Sequence, residues 1–248
     1  MKNLRKIFYN IGEYGYFLWR LFTLLPFLGK EKRNVMFQLY RTGYQSFILV
    51  IFIGLFAGAI IAWQAAYQFK DLVPMSLLGG QAFRVIVMEM GPVLTAMILS
   101  GRLGSGFCAE IASMIVTEQF DAMKTLSIDP VRFVALPRFI SLVIMMPVLT
   151  IYSNFIGIFG AFLVSLLFMD ITLPIFADSI QNFFFVKDIL IGIFKSFLFG
   201  IWIGSIACFL GFQAKRNTQG IGDVTIQSFV FCTMGILVLD LMLWILFF

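Results

Sequence analysis

Residues 139–168 read FISLVIMMPVLTIYSNFIGIFGAFLVSLLF, a run without a single charged side chain. About 20 apolar residues cross the hydrocarbon core of a bilayer, so this stretch is long enough to span it with some tilt. Pro147 inside the run does not argue against a spanning helix, because neighbouring helices in lipid can satisfy the carbonyl that a proline leaves free. Four further apolar stretches lie on either side of it, at about 46–69, 81–103, 189–212 and 224–248. The predicted fold class is therefore an all-α integral membrane protein with five transmembrane helices. Composition agrees: 60% of the 248 residues are hydrophobic and 12% charged, against about 45–50% and about 25% in soluble domains. The connections are short, and residues 1–248 read as one domain.

The stretch at 81–103 is the least regular of the five. It contains Arg84, Glu89 and the pair Gly91-Pro92, so a kink or break is predicted where proline removes a backbone donor. Gly54 with Gly58, and Gly200 with Gly204, repeat at helical spacing and let helix backbones approach closely in lipid. Their partners, within the chain or in a second copy, are open at this level.

Residues 1–42 mix Lys2, Arg5, Lys6, Arg20, Lys30, Lys32, Arg33 and Arg41 with Phe8, Tyr14, Tyr16, Phe17, Trp19 and Phe22. Basic side chains that reach headgroups, with aromatic rings at the acyl boundary, predict an amphipathic interfacial helix. A signal peptide shares part of this outline, but Arg20 interrupts the apolar stretch and no small-residue cleavage pattern follows. Trp63, Tyr67 and Lys70 form a candidate belt at the end of the first span. All basic residues except Lys70, Arg84, Lys187 and Lys195 fall before span one, between spans two and three, or between spans four and five. That bias predicts a cytoplasmic amino terminus and an extracytoplasmic carboxyl terminus.

Several chemistries are disfavoured. The excess of 18 Lys and Arg over 13 Asp and Glu is not laid out as a basic face with aromatic platforms, so no nucleic-acid partner is expected. Histidine is absent, which removes the commonest general base and the commonest transition-metal ligand. Cys108, Cys208 and Cys232 lack paired spacing and read as small packing residues, and no metal site is expected. A nucleotide-binding loop needs Gly-x-x-x-x-Gly-Lys-[Ser/Thr], but after Gly101–Gly106 this chain has Phe107 and Cys108. No ATP site or catalytic residue is expected in this chain.

Ionisable groups inside spans are costly and mark function by default. Glu89, Lys195 and Asp240 qualify. At about 1.5 Å per residue, Glu89 lies roughly 12 Å in from the outer start of span two, Lys195 about 10 Å in from that of span four, and Asp240 about 12 Å from the outer end of span five. Two acids and a base at one depth can compensate one another. A static ion pair and a group that lines a transport route both fit that arrangement, and an ion-coupled secondary transporter using the three as a relay is the alternative reading.

Between spans two and three, GRLGSGFCAEIASMIVTEQFDAMKTLSIDPVRFVALPR (residues 101–138) is polar and helix-compatible. It is too long for a bare connector. A helix in the segment at about 104–138 carrying Glu118, Asp121 and Lys124 would offer a cytoplasmic surface for a driving partner.

These residues carry a resemblance. Glu89 to Pro92, Gly101 to Ser105, Ala109-Glu110, Val116 to Ala122 and Asp129-Pro130 closely resemble the MlaE family of ABC permeases. Lys195, Phe199-Gly200, Cys208 to Gly211, Gly220 to Gly222 and Asp240 are similar to the same family. One departure is Lys215-Arg216-Asn217-Thr218-Gln219, where such proteins often carry a Gly-Gly-Ala run. The resemblance implies a permease in the bacterial inner membrane that pairs with a second copy of itself. It implies a cytoplasmic ABC ATPase dimer that uses ATP and Mg2+, an extracytoplasmic Mce-domain lipid-binding protein, and phospholipid as cargo. It also implies that Glu110, Glu118, Asp121 and Lys124 belong to the segment coupled to the ATPase.

Cysteine labelling tests the orientation. On a background without native cysteines, Thr125→Cys should resist a membrane-impermeant maleimide in intact cells and react once the membrane is opened. Labelling in intact cells would refute the assignment.

Overall fold

Every element that the chain forms among its described residues is helical. The structure is a computed structural model describing residues 2–69 and 77–247, with the side chains of residues 2–8, 10, 30 and 69 left out of that description. Lys70 and the carboxyl-terminal Phe248 lie outside the described residues, as do the side chains of Lys2, Arg5, Lys6, Phe8 and Lys30.

Helix α1 runs Lys2–Thr23, a 3-10 turn follows at Leu25–Lys30 with Pro26 near its start, and α2 covers Lys32–Phe69. A first spanning helix expected from about Ser46 therefore begins at Lys32, because nothing between Lys32 and Ser46 breaks helical geometry. Next come α3 (Leu78–Val85), a wide π-helical turn (Ile86–Met90), α4 (Gly91–Leu99), a second wide turn (Ser100–Gly104) and α5 (Ser105–Val116). These join into one helical run, Leu78–Val116, so the segment outside the long helices narrows from about 104–138 to Thr117–Pro130. It contains the short helix α6, Gln119–Thr125. A third wide turn, Val131–Ala135, leads into α7 (Leu136–Met169), followed by α8 (Leu173–Asn182), α9 (Val186–Phe212) and α10 (Thr218–Phe247). Among the described residues, five helical runs are long and apolar enough to cross a membrane: α2, Leu78–Val116, Val131–Met169, α9 and α10.

Two of the wide turns answer a proline. Gly91 N–H donates to Ile86 O and Leu136 N–H to Val131 O, five residues back in each case, and the next residue is Pro92 or Pro137. Proline has no N–H and its ring collides with the carbonyl four residues earlier; one extra residue in the turn moves that carbonyl aside. The helix at Gly91-Pro92 is thus widened rather than broken. Pro147 sits within an uninterrupted α7.

The chain's contacts gather into two compact units: Met1–Thr42, Ser100–Val143 and Ile201–Gly235 form the first, and Gly43–Leu99, Ile144–Gly200 and Ile236–Phe248 the second. In the first, Leu21, Ile111, Leu136 and Phe139 are buried with Cys208 in one apolar cluster. Helix α1 turns Phe17 and Leu21 into that cluster and leaves Tyr9, Ile11, Tyr16 and Trp19 exposed. Its Tyr14 hydroxyl lies 2.7 Å from Ser205 Oγ of α9. Burial pushes the Tyr14 phenol above its ordinary value, so it remains neutral and available for that bond.

In the second unit, close helix approach replaces bulky packing. A Cβ on Gly58 would fall on the Gly157 backbone, and one on Gly160 would meet the Leu55 carbonyl, so α2 and α7 touch backbone to backbone. Lipid offers no hydrophobic drive between helices, and such close van der Waals packing is what holds them. Gly79 and Gly80 of α3 likewise lie against Phe176, Ser179 and Phe183, and Gly80 N–H donates to Ser179 Oγ at 2.8 Å. Gly54 and Gly58 thus find their partners within the chain, on α7.

Gly58→Leu should lower stability in detergent by about 1–3 kcal/mol, the usual cost of overpacking. Gly15, in α1, has open space around it, and Gly15→Ala should be neutral or stabilising by up to about 1 kcal/mol. Thermal unfolding followed by tryptophan fluorescence would check the pair, and equal midpoints would refute backbone contact at Gly58.

Candidate functional site

Lys195, on α9, has no exposed side-chain surface. Its Nζ lies 2.5 Å from Glu89 Oε1 and 2.9 Å from Asp240 Oδ1. Glu89 comes from the wide turn Ile86–Met90 and Asp240 from α10. Trp244, one helical turn beyond Asp240, places its ring centroid 5.3 Å from the same Nζ, a cation–π contact that strengthens in the absence of water. The three residues placed at one depth by counting from the helix ends are therefore joined in space.

The two acids are not equivalent. Lys195 Nζ donates a hydrogen bond to Glu89 Oε1, whereas Asp240 Oδ1 accepts no hydrogen bond despite its proximity. Its contact with the ammonium is electrostatic and off the donor direction. The Glu89 and Asp240 side chains are 27% and 20% exposed, so the two acids form a partly open rim in front of a wholly buried amine, with Asp240 Oδ1 itself buried. With all three groups charged, the cluster carries one excess negative charge. That rim can hold a cationic group.

A second ion pair in the same unit was not singled out from the sequence. Arg84 Nε donates to Asp188 Oδ2 at 2.9 Å, with the guanidinium 5.5 Å from the Phe185 ring centroid. Arg84 stood out as a charge within an apolar stretch, but Asp188 gave no signal because it opens a helix, a common place for an acid.

In the first unit, Glu118 adopts a left-handed backbone conformation (φ 58°) just before α6. It is exposed, and its carboxylate has no hydrogen bond or ion pair among the described residues. Asp121 pairs with Arg216 at 2.8 Å and with Lys124 at 3.7 Å. Asp129 accepts from Arg20 and from the Val131 N–H, both at 3.0 Å, and so caps the helical run that follows. A cleft of about 710 Å³ opens between Arg20, Phe120, Asp121, Lys124, Asp129 and Arg216. Glu110 is placed differently: on α5, it lies 2.5 Å from Arg41 through Oε1 and 3.0 Å from Arg138 through Oε2. Of the four residues expected at a coupling surface, Glu118, Asp121 and Lys124 share the Thr117–Pro130 segment, and Glu110 is tied to internal arginines. Those partners were missed because they lie far away in sequence and carry no spacing signal.

The profile of the family Permease MlaE matches residues 35–246. An intermembrane phospholipid transport system permease protein, MlaE, of Haemophilus influenzae is 32% identical over 243 residues, which is 98% of this chain and 93% of that protein. A probable ABC transporter permease protein of Synechocystis is 34% identical over 88% of this chain and 83% of its own length. One of Rickettsia conorii is 32% identical over 85% of this chain and 82% of its own.

Removing Lys195 alone should be worse than removing it with an acid. Lys195→Met strands two carboxylates, at a cost of about 3–5 kcal/mol for a broken buried pair, and adding Asp240→Asn should recover part of that loss. Detergent unfolding midpoints for the native chain, each single variant and the double variant close the cycle. Strictly additive effects would show that Lys195 and Asp240 do not interact.

Proposed function

This chain belongs to the MlaE permease family, and on that footing we propose that it is the membrane-spanning subunit of an ABC transporter moving phospholipid or a related lipid. It would pass cargo between the bacterial inner membrane and an extracytoplasmic Mce-domain partner, driven by a separate ATPase dimer that binds ATP and Mg2+. The observation carrying this reading is the nearly end-to-end match to a relative named as an intermembrane phospholipid transport permease. Relatives along most of the chain are named as permeases, and the chain is a transport subunit rather than an enzyme.

Three features support the details. The chain has no nucleotide-binding loop of its own, so the driving force must enter through a surface. The Thr117–Pro130 segment, with its free Glu118 carboxylate, is suited to that task and would face the cytoplasm together with the amino terminus. On α10, Met234, Leu237, Val238, Leu241 and Ile245 are exposed along one helix, an apolar face that a second copy of the chain would cover in part. The half-open rim of Glu89 and Asp240 would border the lipid route.

Reconstitution with the ATPase and the lipid-binding partner tests the reading. Fluorescent phospholipid should move between vesicles and the partner only when ATP is hydrolysed. Transfer that ignores ATP and follows an imposed ion gradient would instead establish the ion-coupled alternative.

Glu118→Lys should weaken recruitment of the ATPase about tenfold, since reversing one charge at a complementary surface sets like charges together. Its exposed carboxylate makes no hydrogen bond or ion pair among the described residues that the change would break. Co-purification and ATP-dependent transfer are the measurements. If neither moves, this segment is not where the ATPase docks.

A further inference from the structure

Asn154 of α7 is 9% exposed, its Oδ1 accepts no hydrogen bond, and the ion cluster does not contain it. Its head group occupies the space that a Cβ on Gly91 would need, beside the Ile86 carbonyl. That carbonyl closes the wide turn by accepting from the Gly91 N–H. Asn154 Oδ1 and the Ile86 oxygen both lie close to that Cβ position, and the ends of a carboxamide exchange by a half-turn of its last torsion. So turned, Nδ2 would face the Ile86 carbonyl, which has a lone pair left for a second donor. On α9, Gly192 lies flush against the Val87 carbonyl of the same turn. Glu89 sits inside this clamped turn. If the extra residue were lost to ordinary α-helical winding, side chains on one side of the turn would rotate by about 100° relative to the other, and Glu89 would leave Lys195.

We propose that Asn154 is the positioning residue of the cluster: its carboxamide holds the wide turn that sets Glu89 against Lys195. The inference rests on the transport reading only where transport is the readout.

Dicyclohexylcarbodiimide enters membranes, and a carboxyl O–H adds across one of its C=N bonds to form an O-acylisourea. An amine in contact attacks the acyl carbon, an amide bond forms, and dicyclohexylurea leaves. In the assembled complex this reagent should join Glu89 to Lys195, seen by mass spectrometry as linked peptides lighter by one water. Asn154→Leu should lower the yield of that link several-fold while helix content and complex assembly persist. Asn154→Ala, which only removes atoms, takes its place if the leucine variant fails to assemble. An unchanged yield in a folded variant overturns the proposal. Lipid transfer is then compared for the same variant in the native and Glu89→Gln backgrounds. A loss in the first with none added in the second supports action through Glu89, and equal losses in both overturn it. A lost cross-link with transfer intact upholds the positioning role and removes the cluster from the transport route.

Discussion

An ammonium group inside a membrane protein persists only where anions reach it, and Lys195, fully buried, imposes that condition on everything around it. Glu89 can reach it because the helix is wound one residue wide at Ile86–Met90. The wide turn in turn accommodates Pro92, and the missing side chain at Gly91 leaves room for the Asn154 head group. Gly192 allows α9 to approach the Val87 carbonyl of that turn. The second anion arrives on α10, which also lays Trp244 over the amine. The glycines, the proline and the wide turn are separate features of the sequence, and the demand of one buried charge ties them together.

The site was legible from sequence to the extent that helix geometry is regular. A constant rise per residue placed Glu89, Lys195 and Asp240 at one depth before any contact was known, and the structure brings them within ion-pair distance. The Gly91-Pro92 pair announced an irregular helix, though not that the irregularity would be an added residue rather than a break. Pro137 carries the same information, but it follows a polar segment in which helix ends are expected. Helix boundaries were the weakest part. Residues 1–42 read as an interfacial helix and about 104–138 as a helix-compatible segment set apart from the spans, yet Lys32–Gln45 and Ser105–Val116 continue the spanning helical runs beside them. Small residues at helical spacing predicted close approach but could not name the partner, which for Gly58 is Gly157.

Charge in the first unit shows why residue type and place on a segment do not settle a role. Glu110, Glu118, Asp121 and Asp129 are acids within twenty positions of one another. Glu110 is held between Arg41 and Arg138, Asp129 caps a helix and meets Arg20, and Asp121 is shared by Lys124 and Arg216. The nearby Arg132 is engaged by Glu31 at 3.3 Å. Partners drawn from α1, the start of α2 and the link before α10 thus absorb most of the charge that the sequence displays. Exposed pairs of this kind add little stability one by one, but of these four acids they leave Glu118 without a hydrogen bond or ion pair among the described residues. What a partner protein would meet is set by this subtraction, which requires coordinates.

Stability alone does not account for the intramembrane cluster. Three apolar side chains of similar volume would join the same helices at least as well, because desolvating an ion pair costs about as much as its attraction returns, and often more. Packing also gives no reason for the cluster's asymmetry, with the amine sealed behind and both acid side chains left part-open at the front. A purely structural pair would be better closed, since water at the rim weakens the attraction that offsets the burial of Lys195. The buried lysine has a second consequence: by neutralising one acid and lying near the other, it lets two carboxylates stand within spanning helices at a tolerable cost.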